Sequence, residues 1–330
     1  MASHLVTSPT RVRLAALAAV GVALVALTAG AQAQGARECR GYALQPQSRN
    51  ICTAAVDATR ALNPIAGLLF SGGNPVLGTA GTLGIWRGSV GFRTTAARVV
   101  LPATDYDGVG NTVGAADRLT LPMPVIEGAL GVFNGLDGGF LSVDILGSIQ
   151  PLPDVDRVEV TEAAARIGHV AFGLGAGVRV GLMADSGSSP GLSISLMRRD
   201  LPRVQYGNVG DGDDYSYAVN LAAWNVRAAI SKRLAFFDFA AGVGWDRYFG
   251  TATAEIANTD GGFPEAPIEV KLSDQRWMLF WNAGLSVGPL RLVGEAGYQS
   301  GKDQDLTTDF EGFDTTKGTW FGALGLRVGL

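Results

Sequence analysis

Charge is scarce in this chain of 330 residues. Asp, Glu, Lys and Arg make up 17% of it, and 26 basic residues face 30 acidic ones. Disordered chains carry far more charge, so this one is expected to fold. The missing basic excess argues against a nucleic-acid binder, which needs a basic stripe. Histidine occurs only at His4 and His169, and cysteine only at Cys39 and Cys52. So few soft ligands make no conventional zinc site, and no metal or cofactor is expected. After the first 33 residues no apolar run reaches about 18 residues, so no helix is expected to span a membrane. What is plentiful is glycine, at 46 positions, and apolar residues, at 47%.

Residues 1–33 read as a secretory signal peptide. Arg11 and Arg13 form a basic start, Leu14 to Leu27 an apolar core, and Ala31-Gln32-Ala33 a small-x-small cleavage site. An anchoring helix is the alternative, disfavoured by the short run. Cys39 follows Ala-Arg-Glu, which is no lipoprotein pattern. In an exported chain Cys39 and Cys52 most simply form one disulfide, with two free thiols as the alternative.

Three segments follow from the patterning: the signal peptide 1–33, a helical and Gly-rich segment 34–87, and a strand region 88–330. Residues 50–62 read as a helix capped by Asn50 and stopped by Asn63-Pro64. From about residue 88 the period becomes two, hence strands. In 168–182, Val170, Phe172, Leu174, Ala176, Val178, Val180 and Leu182 share one face, opposite His169, Arg179 and four glycines. Ten strands are expected, at 88–101, 121–133, 139–150, 166–184, 191–206, 215–230, 235–254, 271–286, 290–300 and 318–330. Between Leu221 and Trp224 the parity breaks, and a bulge near Ala222-Ala223 would restore it. Long and short connections alternate strictly, as in an up-and-down meander with two different ends.

A soluble β-sandwich would also alternate, but its strands are usually about 5–6 residues. Membrane strands need about 9–11 or more, which fits. Tyr215, Tyr217, Tyr248, Phe249, Trp277, Tyr298 and Trp320 near strand ends suit interfacial girdles. The fold class expected is therefore all-β: a transmembrane antiparallel up-and-down barrel of about ten strands (8–12) with a short N-terminal helix. With the signal peptide, the meander and the final strand TWFGALGLRVGL, the chain resembles the bacterial outer-membrane β-barrel class. Leu324, Leu326, Val328 and Leu330 supply the alternating end of that class, although Leu330 stands where Phe or Trp is usual. The chain is also similar to small N-terminally plugged barrels, fatty-acid-transporter-like ones among them. The resemblance implies an outer-membrane location in a diderm bacterium. As partners it implies outer-membrane lipid and a barrel assembly machinery that reads the last strand. An even strand number puts both barrel ends on the periplasmic side.

The expected lumen carries Arg93, Glu127, Asp144, His169, Arg179, Arg199, Arg227, Asp238, Asp246, Arg276, Arg291, Glu295 and Arg327. These charges form either an ion-paired filling or an anion-favouring conduit. Ten strands leave little more room than the side chains of an eight-stranded barrel fill, which argues against a wide pore. Inward Gly173, Gly175, Gly177, Gly242, Gly244, Gly284 and Gly325 leave space on the wall, and segment 50–87 is the candidate to occupy it as a plug. The expected role is passive transport or binding of a small or hydrophobic solute, or a structural role in the envelope, without enzymatic activity. The alternative is a lipid-modifying enzyme with a rim site at His169, beside Ser148 and Asp144. Asp105, Asp107 and Asn111, and Asp211, Asp213 and Asp214, lack the full spacing of a calcium loop and read as solvated loops.

Overall fold

The computed structural model describes residues 37–42, 45–153, 158–162, 165–167, 169–257 and 267–330. The expected signal peptide, 1–33, lies outside the described residues. Ten strands build the wall: β1 (Gly88–Pro102), β2 (Ala115–Phe133), β3 (Ser142–Pro153), β4 (Val170–Met183), β5 (Gly191–Asp200), β6 (Tyr215–Leu234), β7 (Phe237–Ile256), β8 (Ile268–Val287), β9 (Leu290–Gln299) and β10 (Thr319–Gly329). Each pairs antiparallel with its neighbours in sequence. β10 returns to β1, with Ser89 opposite Gly329 and Ala97 opposite Phe321. The sheet is therefore a closed up-and-down barrel without a free edge, as the alternation predicts.

The barrel is inside-out relative to a soluble protein. Phe92, Ile145, Val243, Leu279 and Leu292 are exposed on its outer face, while its largest fully buried side chains include Arg93, Arg179, Arg199 and Arg227. An apolar outside around a charged inside is the arrangement of an outer-membrane barrel. The connections after β1, β3, β5, β7 and β9 are long, and the others are short turns. Long loops face the cell exterior in such barrels, which sets the outer and periplasmic ends. β6, β7 and β8 each run 20 residues. At about 3.3 Å per residue and a tilt near 40°, each rises roughly 50 Å, twice the ~25 Å apolar band. The wall therefore continues well beyond the membrane on the outer side.

Several expectations need correction. The helix α1 spans Pro46–Ser71, not 50–62, and runs straight through Pro64. Pro64 removes one helix hydrogen bond. Burial of Ile65, Leu68, Leu69 and Phe70 beyond it carries the helix on. Pro46 occupies the first turn, and Asn50 is no cap; its amide donates to the carbonyls of Gly108 (2.9 Å) and Gly110 (3.2 Å) in the first outer loop. The bulge at Ala222-Ala223 is absent. The β6–β7 ladder runs unbroken from Tyr215 opposite Ile256 to Leu234 opposite Phe237. Val219 and Leu221 face inward and pack against α1's surroundings, so the apolar face changes sides while the register does not. For the same reason Tyr215, Tyr217 and Tyr248 are buried inside rather than placed in a girdle. Phe249 points outward near Arg198, and Trp320 meets Tyr298 at a tilt (5.1 Å between ring centres) and Trp281 edge-on (6.0 Å).

Both ends of the barrel itself lie at the turn end, as even strand number requires. The chain ahead of β1 does not start there. Residues 37–42 form a short 3-10 turn near the outer end, and α1 descends from it. Asp57 accepts from the backbone of Thr307 (2.8 Å) and Thr308 (2.9 Å) in the last outer loop. Below the helix, Leu83 donates to Asp144 (3.1 Å) and Ile85 to Asn134 (2.6 Å), the latter in the first periplasmic turn. The segment thus passes through the lumen from the outer end to the periplasmic end before entering β1.

Candidate functional site: a lumen filled by the chain's own helix

The outer half of the lumen is apolar. Ile51, Ala54, Ala55 and Ala58 of α1 meet Tyr106, Tyr206, Tyr215 and Tyr217. Deeper in, Ile65, Leu68 and Leu69 meet Met278, Phe280 and Phe321. Close contact sets the helix's height: a Cβ on Gly67 would stand 2.4 Å from the ring of Tyr248. Most of the wall glycines expected to leave room do not. A Cβ at Gly175 would strike Ser148 and Arg199, one at Gly242 Phe280, and one at Gly244 Met278. Neighbouring strands fill that space, and only at Gly325 is the obstacle part of the filling segment, Leu77.

The disulfide expected between Cys39 and Cys52 is present, with Cα atoms 5.8 Å apart. It ties the 3-10 turn to α1 against Ala252, Val270 and Leu272. Arg60 adds a second tie to Glu38, at 2.8 Å. Replacing both cysteines by serine is expected to lower stability by about 3 kcal/mol, the value for a loop of this size. Equilibrium urea unfolding in detergent micelles measures it, and no change would mean that the other contacts of residues 37–42 suffice.

The inner half of the lumen is charged, and its register explains the pairing. One oxygen of Glu127 forms an ion pair with Arg93 (2.9 Å) and accepts a hydrogen bond from Arg199 (3.0 Å). Arg93 also approaches Glu295 at 3.5 Å. Arg227 grips both oxygens of Asp246, at 2.6 and 3.1 Å. Arg179 grips Asp144 at 2.6 Å. These guanidinium groups also donate to the descending backbone. Arg199 (3.2 Å) and Arg227 (2.9 Å) share the carbonyl of Ser71 at the end of α1. Arg227 reaches Gly73 (2.9 Å), Arg93 reaches Asn74 (3.0 Å) and Arg179 reaches Thr79 (3.4 Å). Unpaired carbonyls and the negative dipole end of a helix attract cations, so the wall caps the helix that the chain itself supplies.

Of the residues expected to line the lumen, Arg93, Glu127, Asp144, Arg179, Arg199, Arg227, Asp238, Asp246, Arg276, Glu295 and Arg327 are buried there. Arg291 is half-buried, 3.8 Å from Asp238. Arg276 sits apart, paired with Asp274 at 2.6 Å and donating to the carbonyl of Ser300 in the last outer loop. His169 is the exception. Ile167 pairs with Val170, so His169 occupies the turn between them and is exposed. Ser148 lies opposite Gly175, six residues along β4, which is about 20 Å away. Ser148 is buried and bonded to Arg199, so the Ser148–His169 site is not formed.

Sequence reasoning missed the neutral members of the network. Asn225 accepts from Arg199 (3.2 Å) and donates to Asp246 (2.6 Å). Asn282 donates to Glu295 at 2.6 Å, and Tyr248 donates to Asp246 at 3.0 Å. Asn225 and Asn282 share inward parity with Arg227 and Arg276, which was the available signal. At the outer mouth, burial and the nearby Asp105, Asp107 and Asp213 raise the carboxyl of Asp214 above its ordinary range. Asp213 accepts from Thr104 of the first outer loop at 2.7 Å, and Asp211 from Asn208 in its own loop at 2.8 Å.

No family model matches the chain. No curated protein matches its sequence. Solved structures do show a likeness. The outer membrane protease OmpT of Escherichia coli has 10% identity and a TM-score of 0.38, over 74% of this chain and 96% of its own. The translocator domain of the autotransporter NalP of Neisseria meningitidis has 10% identity and a TM-score of 0.42, over 84% and 98%. Ail of Yersinia pestis has 11% identity and a TM-score of 0.29, over 74% and 99%. Such neighbours differ in activity and speak to no shared chemistry. The closed ladder, apolar exterior and charged interior, taken together, make this chain a ten-stranded β-barrel of the bacterial outer-membrane class.

Proposed function

We propose that this barrel is closed in its resting form and serves the outer membrane as a structural, non-enzymatic element rather than as an open diffusion pore. One observation carries the reading: buried Arg93, Arg179, Arg199 and Arg227 bind the backbone of residues 71–79 across the lumen while paired to wall carboxylates. Passive transport through the lumen would require those contacts to break together. The outer loops and the disulfide-tied turn at residues 37–42 are the parts such a barrel offers to the exterior.

Single-channel recording in a planar bilayer tests this. The intact mature protein is expected to be silent, and deletion of residues 34–75 to produce stable steps. Stable steps from the intact protein would end the closed reading and restore the conduit.

A further inference from the structure

At the periplasmic end, beneath the last contacts of the filling segment, lies a recess of about 740 Å³. Its wall carries Arg87, Arg233, Arg291 and Arg327, but only one acidic side chain, Asp185. Arg291 and Arg327 are direct cross-strand partners. Like charges placed directly opposite each other are destabilising. The other fully buried arginines of the lumen each face a carboxylate: Arg93 and Arg199 on Glu127, Arg179 on Asp144, Arg227 on Asp246.

Arg327 breaks that rule among the described residues. It is 4% exposed, and its Nη1 is buried without a hydrogen-bond partner. The nearby carboxylates are already engaged. Asp238 takes Arg233 at 2.9 Å and the hydroxyl of Ser286, and meets Arg291 only at 3.8 Å. Asp185 takes Lys232 at 3.5 Å and the backbone of Arg233 at 3.1 Å. A buried cation without a partner is costly, and so is a like-charge pair; one anion between the two guanidinium groups relieves both.

We propose that this recess binds a phosphate-type oxyanion, gripped by Arg291 and Arg327, with Arg87 and Arg233 at its rim. Guanidinium forks match phosphate oxygens two at a time, which suits the paired placement. Two sources share that chemistry: the headgroup of an anionic phospholipid in the periplasmic leaflet, and a free phosphorylated solute. The site does not depend on whether the lumen conducts.

The test is calorimetric titration of the full mature chain with pyrophosphate at low salt, in uncharged detergent and in bilayer discs. Saturable binding is expected. R327Q and R291Q should each weaken it by about tenfold or more, the loss of a charge-assisted bond. R118Q, which removes an exposed arginine paired with Glu311 at the outer end, should leave it unchanged. Discs of phosphatidylcholine alone are compared with discs that also contain phosphatidylglycerol. Binding lost only in the mixed discs assigns the site to a lipid headgroup, and binding kept in both assigns it to a free solute. No saturable binding in detergent or in phosphatidylcholine overturns the proposal, as does unchanged affinity in the variants. Should R327Q fail to fold, R291Q decides alone, because the Arg291 side chain is less completely buried.

Discussion

Arg227→Ala is expected to lower the unfolding free energy by about 3–5 kcal/mol, the cost of stripping one partner from a buried ion pair. Arg227 is 2% exposed and Asp246 fully buried. The substitution removes two bonds to Asp246 and leaves it the amide of Asn225 and the hydroxyl of Tyr248. It also frees the carbonyl of Gly73 and leaves that of Ser71, at the end of α1, to Arg199 alone. Uncompensated charge and a weakened helix cap add in the same direction. Urea unfolding in micelles, followed by tryptophan fluorescence, reads the change. A loss below about 1 kcal/mol, as for a surface pair, would mean that water solvates this level of the lumen.

Glu127→Gln should be comparably severe, again about 3–5 kcal/mol, although it preserves shape. A single carboxylate oxygen holds Arg93 and Arg199 together. Without its charge, two buried guanidinium groups face each other, and the carboxylate left to Arg93 among the described residues is Glu295, at 3.5 Å, alongside its bond to the carbonyl of Asn74. The double variant E127Q/R199M removes one of the two cations and should recover part of the loss. The same unfolding assay on all three variants gives the coupling directly. Strict additivity would show that Glu127 does not join the two arginines in solution.

Much of this architecture was legible in the sequence. Strand number, meander and two-sided pattern follow from a period of two punctuated by turn residues, and the inward charges follow from parity. Arg179 and Arg199, for example, oppose Val178 and Arg198 across the wall, and both are buried. What was not legible depends on contacts between distant segments. Arg227 lies opposite Gly244 and reaches Asp246 diagonally, which only the register reveals. Pro64 stops a helix in water but not one enclosed by a wall that buries the residues beyond it. The parity break at Val219 and Leu221 implies a bulge only if the inward face is polar throughout. Where α1 lies against the wall that face is apolar, and the tyrosines follow it inside. His169 missed the lumen by a different route: the strand pattern ran on into a hairpin turn.

The passage of residues 37–87 through the barrel has a consequence for assembly. Filling and first wall strand are consecutive on one thread, yet the thread enters by one mouth and leaves by the other. A cylinder already sealed would have to be threaded end-on from the periplasmic side, with the bridged turn at Cys39–Cys52 pushed through first. The seam between Gly88–Pro102 and Thr319–Gly329 is the simpler gate, since the two ends of the sheet meet there. Wrapping the sheet around the helix and then zipping that seam needs no threading at all. The order of events is thus set by connectivity: contents first, closure second. Once the seam is shut, the covalent loop at the outer mouth is a toggle wider than the rod it terminates, and it resists withdrawal toward the periplasm.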